Sequence, residues 1–246
     1  MRANSLCLII GALSATCATI AQGQHADADP HRLTFGMDSL DIFVLSGGVE
    51  RRVGRLWDEV HRVEIAGASF VRRVYRTENS LFGPTLDSTY FTWPGLRPHA
   101  HTSKGTTSAV TVEYRGDSVV GHRSEAPGAR LPIARRLQPT VVDAASVELR
   151  LRSSSLSIGV RLSEAVYLAA QDSVATVVAT VTGQERWRSS LTGQVVDLWV
   201  IQMDFAGLSS TLWIDTTSHA LVREAVRLTP DVTMMWSRPQ LARVGG

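Results

Sequence analysis

The sequence predicts a mainly β protein built on a single curved antiparallel sheet, either an open half-barrel or a barrel-like structure, with one or two short helices. After residue 34 the chain consists largely of short segments rich in Val, Thr and aromatic residues, and Gly- or Pro-containing turns separate most of them. Only one segment favours a helix. Strands joined in order by short turns form a meander, and a meander that curves leaves a concave apolar face.

Residues 1–23 have the layout of a secretory signal peptide. Arg2 supplies a positive charge, residues 5–20 carry no charge, and small residues follow. The apolar run is shorter than the roughly 20 residues of a membrane-spanning helix, so we expect no transmembrane segment after signal cleavage. We expect an exported protein, periplasmic or extracellular. The alternative is a lipoprotein anchored through Cys17, although Ser14 stands where a lipidation signal carries a large aliphatic residue.

The two cysteines, Cys7 and Cys17, both lie in the predicted signal peptide, so the mature chain is held together by packing alone. We expect a flexible mature N-terminus over residues 24–34 and a single β-rich domain over residues 35–246. The formal net charge of the whole chain is only +2. A nucleic-acid partner would require a concentrated basic surface, and we therefore expect none.

In the first half of the chain, residues 88–93 are aromatic and β-branched, and a Pro-Gly dipeptide ends them. Residues 104–105 favour the next turn. Residues 110–114 alternate between apolar and polar, which is typical of a half-buried strand. Residues 115–118 favour a turn, after which extended structure resumes.

The second half repeats this pattern. Residues 173–182 are dense in Val and Thr and favour a strand that ends at Gly183. Residues 195–205 form the longest alternating segment. Residues 210–215 and 220–228 favour a hairpin across a short polar turn.

Two stretches depart from the strand pattern. Residues 126–140 contain three prolines and little alternation, which predicts a loop. Residues 143–152 are the best helix candidate, because Asp143 is a suitable N-cap. Val147, Leu149 and Leu151 also alternate, so a strand remains an alternative there.

The residues with the best claim to bind a ligand form an apolar stripe. Trp199, Ile201, Met203 and Phe205 share one face of a strand with a two-residue period, and Trp213 is expected to join them from the next strand. Broad aromatic and adaptable Met side chains suit a hydrophobic pocket. The alternative is that the same residues form ordinary core.

The nearest approach to a metal motif is the pair His99 and His101, whose rings would project from one face of a strand, with His122 as a third ligand. Pairing of Ser103 with Ser108 would place His101 and His122 on opposite faces, and a one-residue slip would reverse that result. We expect no metal site and no cofactor.

Catalytic motifs are absent from the sequence. There is no Gly-x-Ser-x-Gly, no phosphate-binding loop and no zinc-protease helix. Asp215 is followed by two threonines instead of the Thr-Gly of aspartic proteases, and residues 57–61 favour an exposed polar edge. We therefore predict no catalytic residue and a protein that is not an enzyme. A hydrolase would need clustered polar residues with perturbed pKa values in a cleft.

The order of segments in the second half resembles uncharacterised secreted bacterial proteins of a domain-of-unknown-function type, similar to the half-barrel of LolA/LolB-like periplasmic lipoprotein carriers. The resemblance spans residues 45–230. It implies an open curved sheet, covered by a helix or loop, and a hydrophobic or lipid-like ligand, but it assigns no residue a role. It rests on the segments at residues 87–91, 141–152, 157–168, 174–185, 199–201, 211–215 and 221–225.

Export, the meander and the apolar stripe lead to one functional prediction. We expect an envelope or periplasmic protein that binds a lipid or another hydrophobic ligand on the concave face of its sheet. The alternative is a structural or protein-interaction module of the cell envelope that binds an envelope protein partner and no small molecule.

Overall fold

The computed structural model of the chain describes residues 29–125, 128–190, 192–239 and 241–244. The predicted signal peptide, with Cys7 and Cys17, lies outside these residues and stays a prediction. Of the segment predicted to be flexible, residues 29–34 are described. They contain a short 3-10 helix, Pro30–Arg32, followed by Leu33, which is buried.

The described residues form sixteen strands and one α-helix, α1. In chain order these are β1 Gly36–Ser46, β2 Val49–Ile65, β3 Ala68–Asn79, β4 Thr85–Thr92, β5 Pro98–Lys104, β6 Ser108–Arg115, β7 Ser118–Glu125, β8 Ala129–Arg136, β9 Val142–Asp143, α1 Val147–Ser153, β10 Arg161–Leu168, β11 Ser173–Ser189, β12 Val195–Phe205, β13 Leu208–Asp215, β14 Leu221–Thr229, β15 Val232–Ser237 and β16 Leu241–Arg243. A 3-10 helix, Ala144–Ser146, leads directly into α1.

All strands belong to one sheet in the order β8-β7-β6-β5-β4-β3-β2-β1-β15-β14-β13-β12-β11-β10-β9, with β16 added beside β11. Neighbouring strands are antiparallel except β9 and β10, which are parallel. In the described part of the chain no backbone pairing joins β8 to β9 or β10, so the sheet is curved and unclosed. The predicted fold class, a mainly β protein with one curved sheet and a short helix, is confirmed.

Side-chain contacts connect β8 to the other end of the sheet, where no backbone pairing does. Arg135 on β8 donates from Nε to Oδ1 of Asp172, over 2.8 Å, and from Nη2 to the Asp172 carbonyl, over 2.7 Å. Asp172 lies in the turn after β10, and the hydroxyl of Tyr167 donates to it as well. The two ends of the sheet therefore meet through ion pairs and packing, which gives the sheet its barrel-like curl.

Two predictions of local structure are wrong. Residues 126–140 include a strand, β8, instead of being only a loop. Pro132 is tolerated there because β8 is an edge strand, one side of which has no neighbouring strand to accept a hydrogen bond. Gly183 does not end its strand either: β11 continues to Ser189, with a register shift between Val181 and Gly183 that marks a β-bulge.

The predicted helix is confirmed, and its start matches the expected cap. The carboxylate of Asp143 accepts from the backbone N–H of Ala145 over 2.7 Å, which begins the 3-10 turn ahead of α1. Leu149 is fully buried against Val71 and Phe91, so α1 covers the concave face of the sheet. Among the described residues no helix is both long and apolar enough to cross a membrane.

Candidate functional site

A cavity of about 400 Å³ lies on the concave face of the sheet beside α1. Its walls come from β3 to β6 at one side, from β12 to β14 at the other, and from the Ala144–Ser146 turn, α1 and the turn after β10. β6 and β12 are far apart in the strand order, so they can line one cavity only because the sheet curls. The volume lies within the roughly 300–1,000 Å³ range of small-molecule pockets.

Part of the predicted stripe reaches this cavity. Met203 and Phe205 line it, together with Leu212 from the neighbouring strand. Ile201 is fully buried in the main core cluster, and Trp199 packs against that same cluster. The stripe thus runs from ordinary core into the cavity wall.

The structure does not bring Trp213 together with the other four residues. Trp213 lies directly opposite Val200 in the β12–β13 pairing, and residues that face each other across strands share one side of the sheet. It therefore projects to the side of Leu198, where it packs in a separate cluster with Trp187. The indole N–H groups of the two tryptophans both donate to Glu185 Oε2.

A buried ion network holds α1 against the sheet at the edge of the cavity. Arg73 Nε donates to Asp58 Oδ1 over 2.7 Å, and Arg73 Nη2 also donates to Glu148 on α1. Arg152 Nη1 reaches Asp58 Oδ2 at 3.2 Å and Glu148 Oε1 at 3.3 Å. Burial opposes ionisation of Asp58, but the two guanidinium groups hold its pKa below the usual range. The expectation that residues 57–61 form an exposed polar edge is wrong, because Asp58 is buried at an inward position of β2.

A second polar group lies on the same side of the cavity, around His101 of β5. His101 Nδ1 is 2.9 Å from Asp143 Oδ2, and the hydroxyl of Tyr114 donates to the same oxygen. Burial lowers the pKa of His101, but the Asp143 carboxylate outweighs that effect and raises it above the usual value. His101 Nε2 is buried and has no hydrogen-bond partner among the described residues.

Glu224, on β14, is a carboxyl group of the cavity without a hydrogen-bond partner in the described part of the chain. It lies opposite Leu212 in the β13–β14 pairing. Burial raises its pKa from 4.5 to about 7, with a further increase from the Glu148 carboxylate, whereas Arg73 opposes the change. Burial also raises the pKa of Asp87, which lines the cavity from β4.

The three histidines do not converge. A register shift between Tyr90 and Phe91 leaves His99 out of the β4–β5 pairing, and its ring packs against Phe70 with 4.7 Å between centroids. His99 and His101 therefore do not share one face, contrary to the strand expectation. Within the described residues, no group of three His, Cys, Asp or Glu side chains could hold a metal ion.

The expected register of the hairpin between β5 and β6 is off by two residues. Ser103 pairs with Val110 instead of Ser108, and His101 pairs with Val112. A shift of two preserves the faces of a strand. His101 and His122 accordingly lie on opposite faces, as the predicted pairing requires.

Sequence reasoning missed the ionisable residues that face the cavity, and it placed no cluster of polar groups with shifted pKa values in a cleft. A local signal exists for part of this set. Asp58 stands between Leu56 and Val60 at alternate, inward positions of its strand, and Arg73 stands between Val71 and Tyr75. A charge at a position where the alternation requires an apolar side chain indicates a buried pair.

Comparisons with known proteins identify no family. No family model matches the chain, and no curated protein matches it either. Among solved structures, the chain is similar to the crystal structure of a beta-barrel-like protein of Domain of Unknown Function DUF1849 from Brucella abortus. The TM-score is 0.49 at 10% sequence identity, and the match covers 86% of this chain and 99% of that chain.

Proposed function

We propose that the protein is a non-enzymatic, exported binding protein that holds a lipid-like or other apolar small molecule in the cavity of its concave face. One observation carries the proposal: the cavity of about 400 Å³ on the concave face has apolar side chains of β12, β13 and α1 in its wall. Met203, Phe205 and Leu212 offer a broad apolar surface at the position where the sequence predicts ligand contacts. Sites of this kind combine an apolar body with few polar groups.

Two features of the sequence support the setting. Residues 1–23 have the charge, apolar run and small residues of a signal peptide, so we place the protein in the periplasm or outside the cell, with a lipid anchor at Cys17 as the alternative. The resemblance to LolA/LolB-like carriers also favours a ligand on the concave face. Export and a ligand on the concave face are therefore both parts of the proposal.

The test is mass spectrometry of an organic extract from the mature protein, purified from its native envelope. We expect a stoichiometric apolar or amphipathic molecule. Ala144→Phe places a large ring in the cavity wall and should empty the protein, whereas Ala134→Phe, on the exposed face of edge strand β8, should keep its ligand.

An empty extract from the unaltered protein, repeated after incubation with a lipid pool, would overturn the binding function. Recovery of one stoichiometric protein partner in that same purification would favour the interaction module instead. Equal ligand content in Ala144→Phe and Ala134→Phe would show that the molecule binds outside this cavity.

The His101–Asp143 pair favours a second candidate function, hydrolysis. A buried carboxylate that bonds one imidazole nitrogen is the arrangement that orients a general base. Assays of p-nitrophenyl esters of increasing chain length test it. Turnover that His101→Gln abolishes would support hydrolysis, and absence of turnover would remove this candidate.

A further inference from the structure

We propose that the cavity selects ligands with a cationic amine head on an apolar body, and that Glu224 is the partner of the amine. The inference rests on the proposed binding function and deepens it by giving the ligand head a charge. Three observations support it: the pairing of the nearby cations, the lack of a partner for Glu224, and the apolar surface that adjoins it.

The cations at this end of the cavity are already paired. Arg73 bonds both Asp58 and Glu148, and His101 bonds Asp143. Arg152, beside the cavity, bonds Asp58 and Glu148 as well. Within the described residues these three cations face five carboxyl groups, so negative charge is in excess when Glu224 is ionised. The five are Asp58, Asp87, Asp143, Glu148 and Glu224.

Glu224 contributes to that excess of negative charge and receives no hydrogen bond from any described residue. A carboxylate in a largely apolar cavity is unfavourable unless a donor or a counterion approaches it. A ligand ammonium group would supply both, since it brings a positive charge and N–H donors to one site. A carboxylate or phosphate head would instead meet the carboxyl groups of Glu224, Glu148 and Asp87, with no uncommitted cation among the lining residues to receive it.

The apolar body of such a ligand has a continuous surface next to Glu224. Glu224 lies directly opposite Leu212 across the β13–β14 pairing, and Leu212 lies opposite Ile201 across the β12–β13 pairing. Met203 and Phe205 then extend the wall along β12. Head and body sites are therefore adjacent on one face of three neighbouring strands.

The experiment compares three ligands with the same chain and different heads: dodecylamine, 1-dodecanol and dodecanoate. Binding to the mature protein is measured by isothermal titration calorimetry at about pH 8, where Glu224 is ionised and the amine remains protonated. We expect dodecylamine to bind at least about tenfold more tightly than dodecanol. Dodecanoate should bind at least about tenfold more weakly than dodecanol.

Glu224→Gln removes the charge and keeps the size of the side chain, so the preference of the variant for the amine over the alcohol should disappear. Glu113→Gln is the matched control. It removes an exposed carboxylate that is paired with Arg115 and does not line the cavity, and it should leave the preference unchanged.

The outcomes separate this inference from the proposed function. Equal affinity for all three ligands, or an amine preference that Glu224→Gln retains, would overturn the inference and leave the binding function standing. Absence of binding by all three would overturn both. The comparison of ligand heads uses the unaltered chain, so it tests the preference for a cationic head even if Glu224→Gln does not fold.

Discussion

Removing the Glu224 carboxyl should change how the stability of the protein depends on pH. The pKa of Glu224 rises from 4.5 to about 7 on folding, so the folded chain holds this proton more tightly than the unfolded chain between those two pH values. The acid form is favoured in the folded state, and the stability it provides is lost as the pH rises through that interval. Above about pH 7 the loss is complete.

The size of the effect follows from the interval itself. At about 1.4 kcal/mol per pH unit, the rise from 4.5 to about 7 corresponds to about 3 kcal/mol of unfolding free energy. Glu224→Gln has no proton to lose and lacks this part of the pH dependence. Relative to the unaltered chain, the variant should therefore gain about 3 kcal/mol between pH 4.5 and about pH 8.

Urea unfolding followed by tryptophan fluorescence measures this difference at a series of pH values. Other ionisable groups face the same cavity, and the difference between variant and unaltered chain removes the part of the pH dependence that does not involve Glu224. These are Arg73, Tyr75, Asp87, His101 and Glu148. Parallel curves of unfolding free energy against pH would refute the reasoning, because they would show that Glu224 keeps an ordinary pKa in the folded chain.

Two further predictions concern stability and use the same unfolding assay. Asp58→Ala should destabilise by about 3–5 kcal/mol, since it removes one of the two carboxylates that the buried guanidinium groups of Arg73 and Arg152 share and leaves them only Glu148. Asp117→Ala, in an exposed ion pair, should change little. A small loss for Asp58→Ala would show that water reaches the network. Gly54→Ala should destabilise by about 1–3 kcal/mol, because its Cβ would lie 2.1 Å from the Glu78 carbonyl oxygen. Gly183→Ala should not destabilise the protein, because its Cβ meets no atom within 4 Å. Equal stability of the two variants would contradict the close approach at Gly54.

The cavity joins two kinds of wall with different chemical consequences. Its apolar side, with Met203 and Phe205, would stabilise a ligand chain by removing it from water. Its ionisable side sets the charge that a ligand head must carry. α1 forms part of the ionisable side through Glu148, and the bonds of Glu148 to Arg73 and Arg152 hold the helix in place. A ligand that displaced these bonds would also loosen the cover of the site.

Much of the local structure was predictable, because the signals are short-range. The strand at residues 195–205 has the predicted bounds, and the helix begins after the predicted cap, Asp143. The errors at β8 and at Gly183 have a common cause: proline and glycine mark either the end of a strand or an irregular position within it. Neighbouring strands decide between the two, and no local pattern contains that information.

The candidate site was predictable only in part. Periodicity places Met203 and Phe205 on one face, and they line the cavity. Periodicity could not show that Trp213 lies on the other face, because its side depends on which residue of β12 pairs with it. A difference of one residue in the register moves a side chain to the other side of the sheet.

By itself the sequence determined the β class, the order of the main strands of the second half and the start of the helix, since each follows from neighbouring residues. The tertiary structure alone decided where charge meets the apolar face. The contacts that build the ionisable wall join residues far apart in the chain: Asp58 with Arg152, Arg73 with Glu148, and His101 with Asp143. Such pairs form only after the sheet has curled around α1, because the curl, and no local preference, brings their strands and the helix to one cavity.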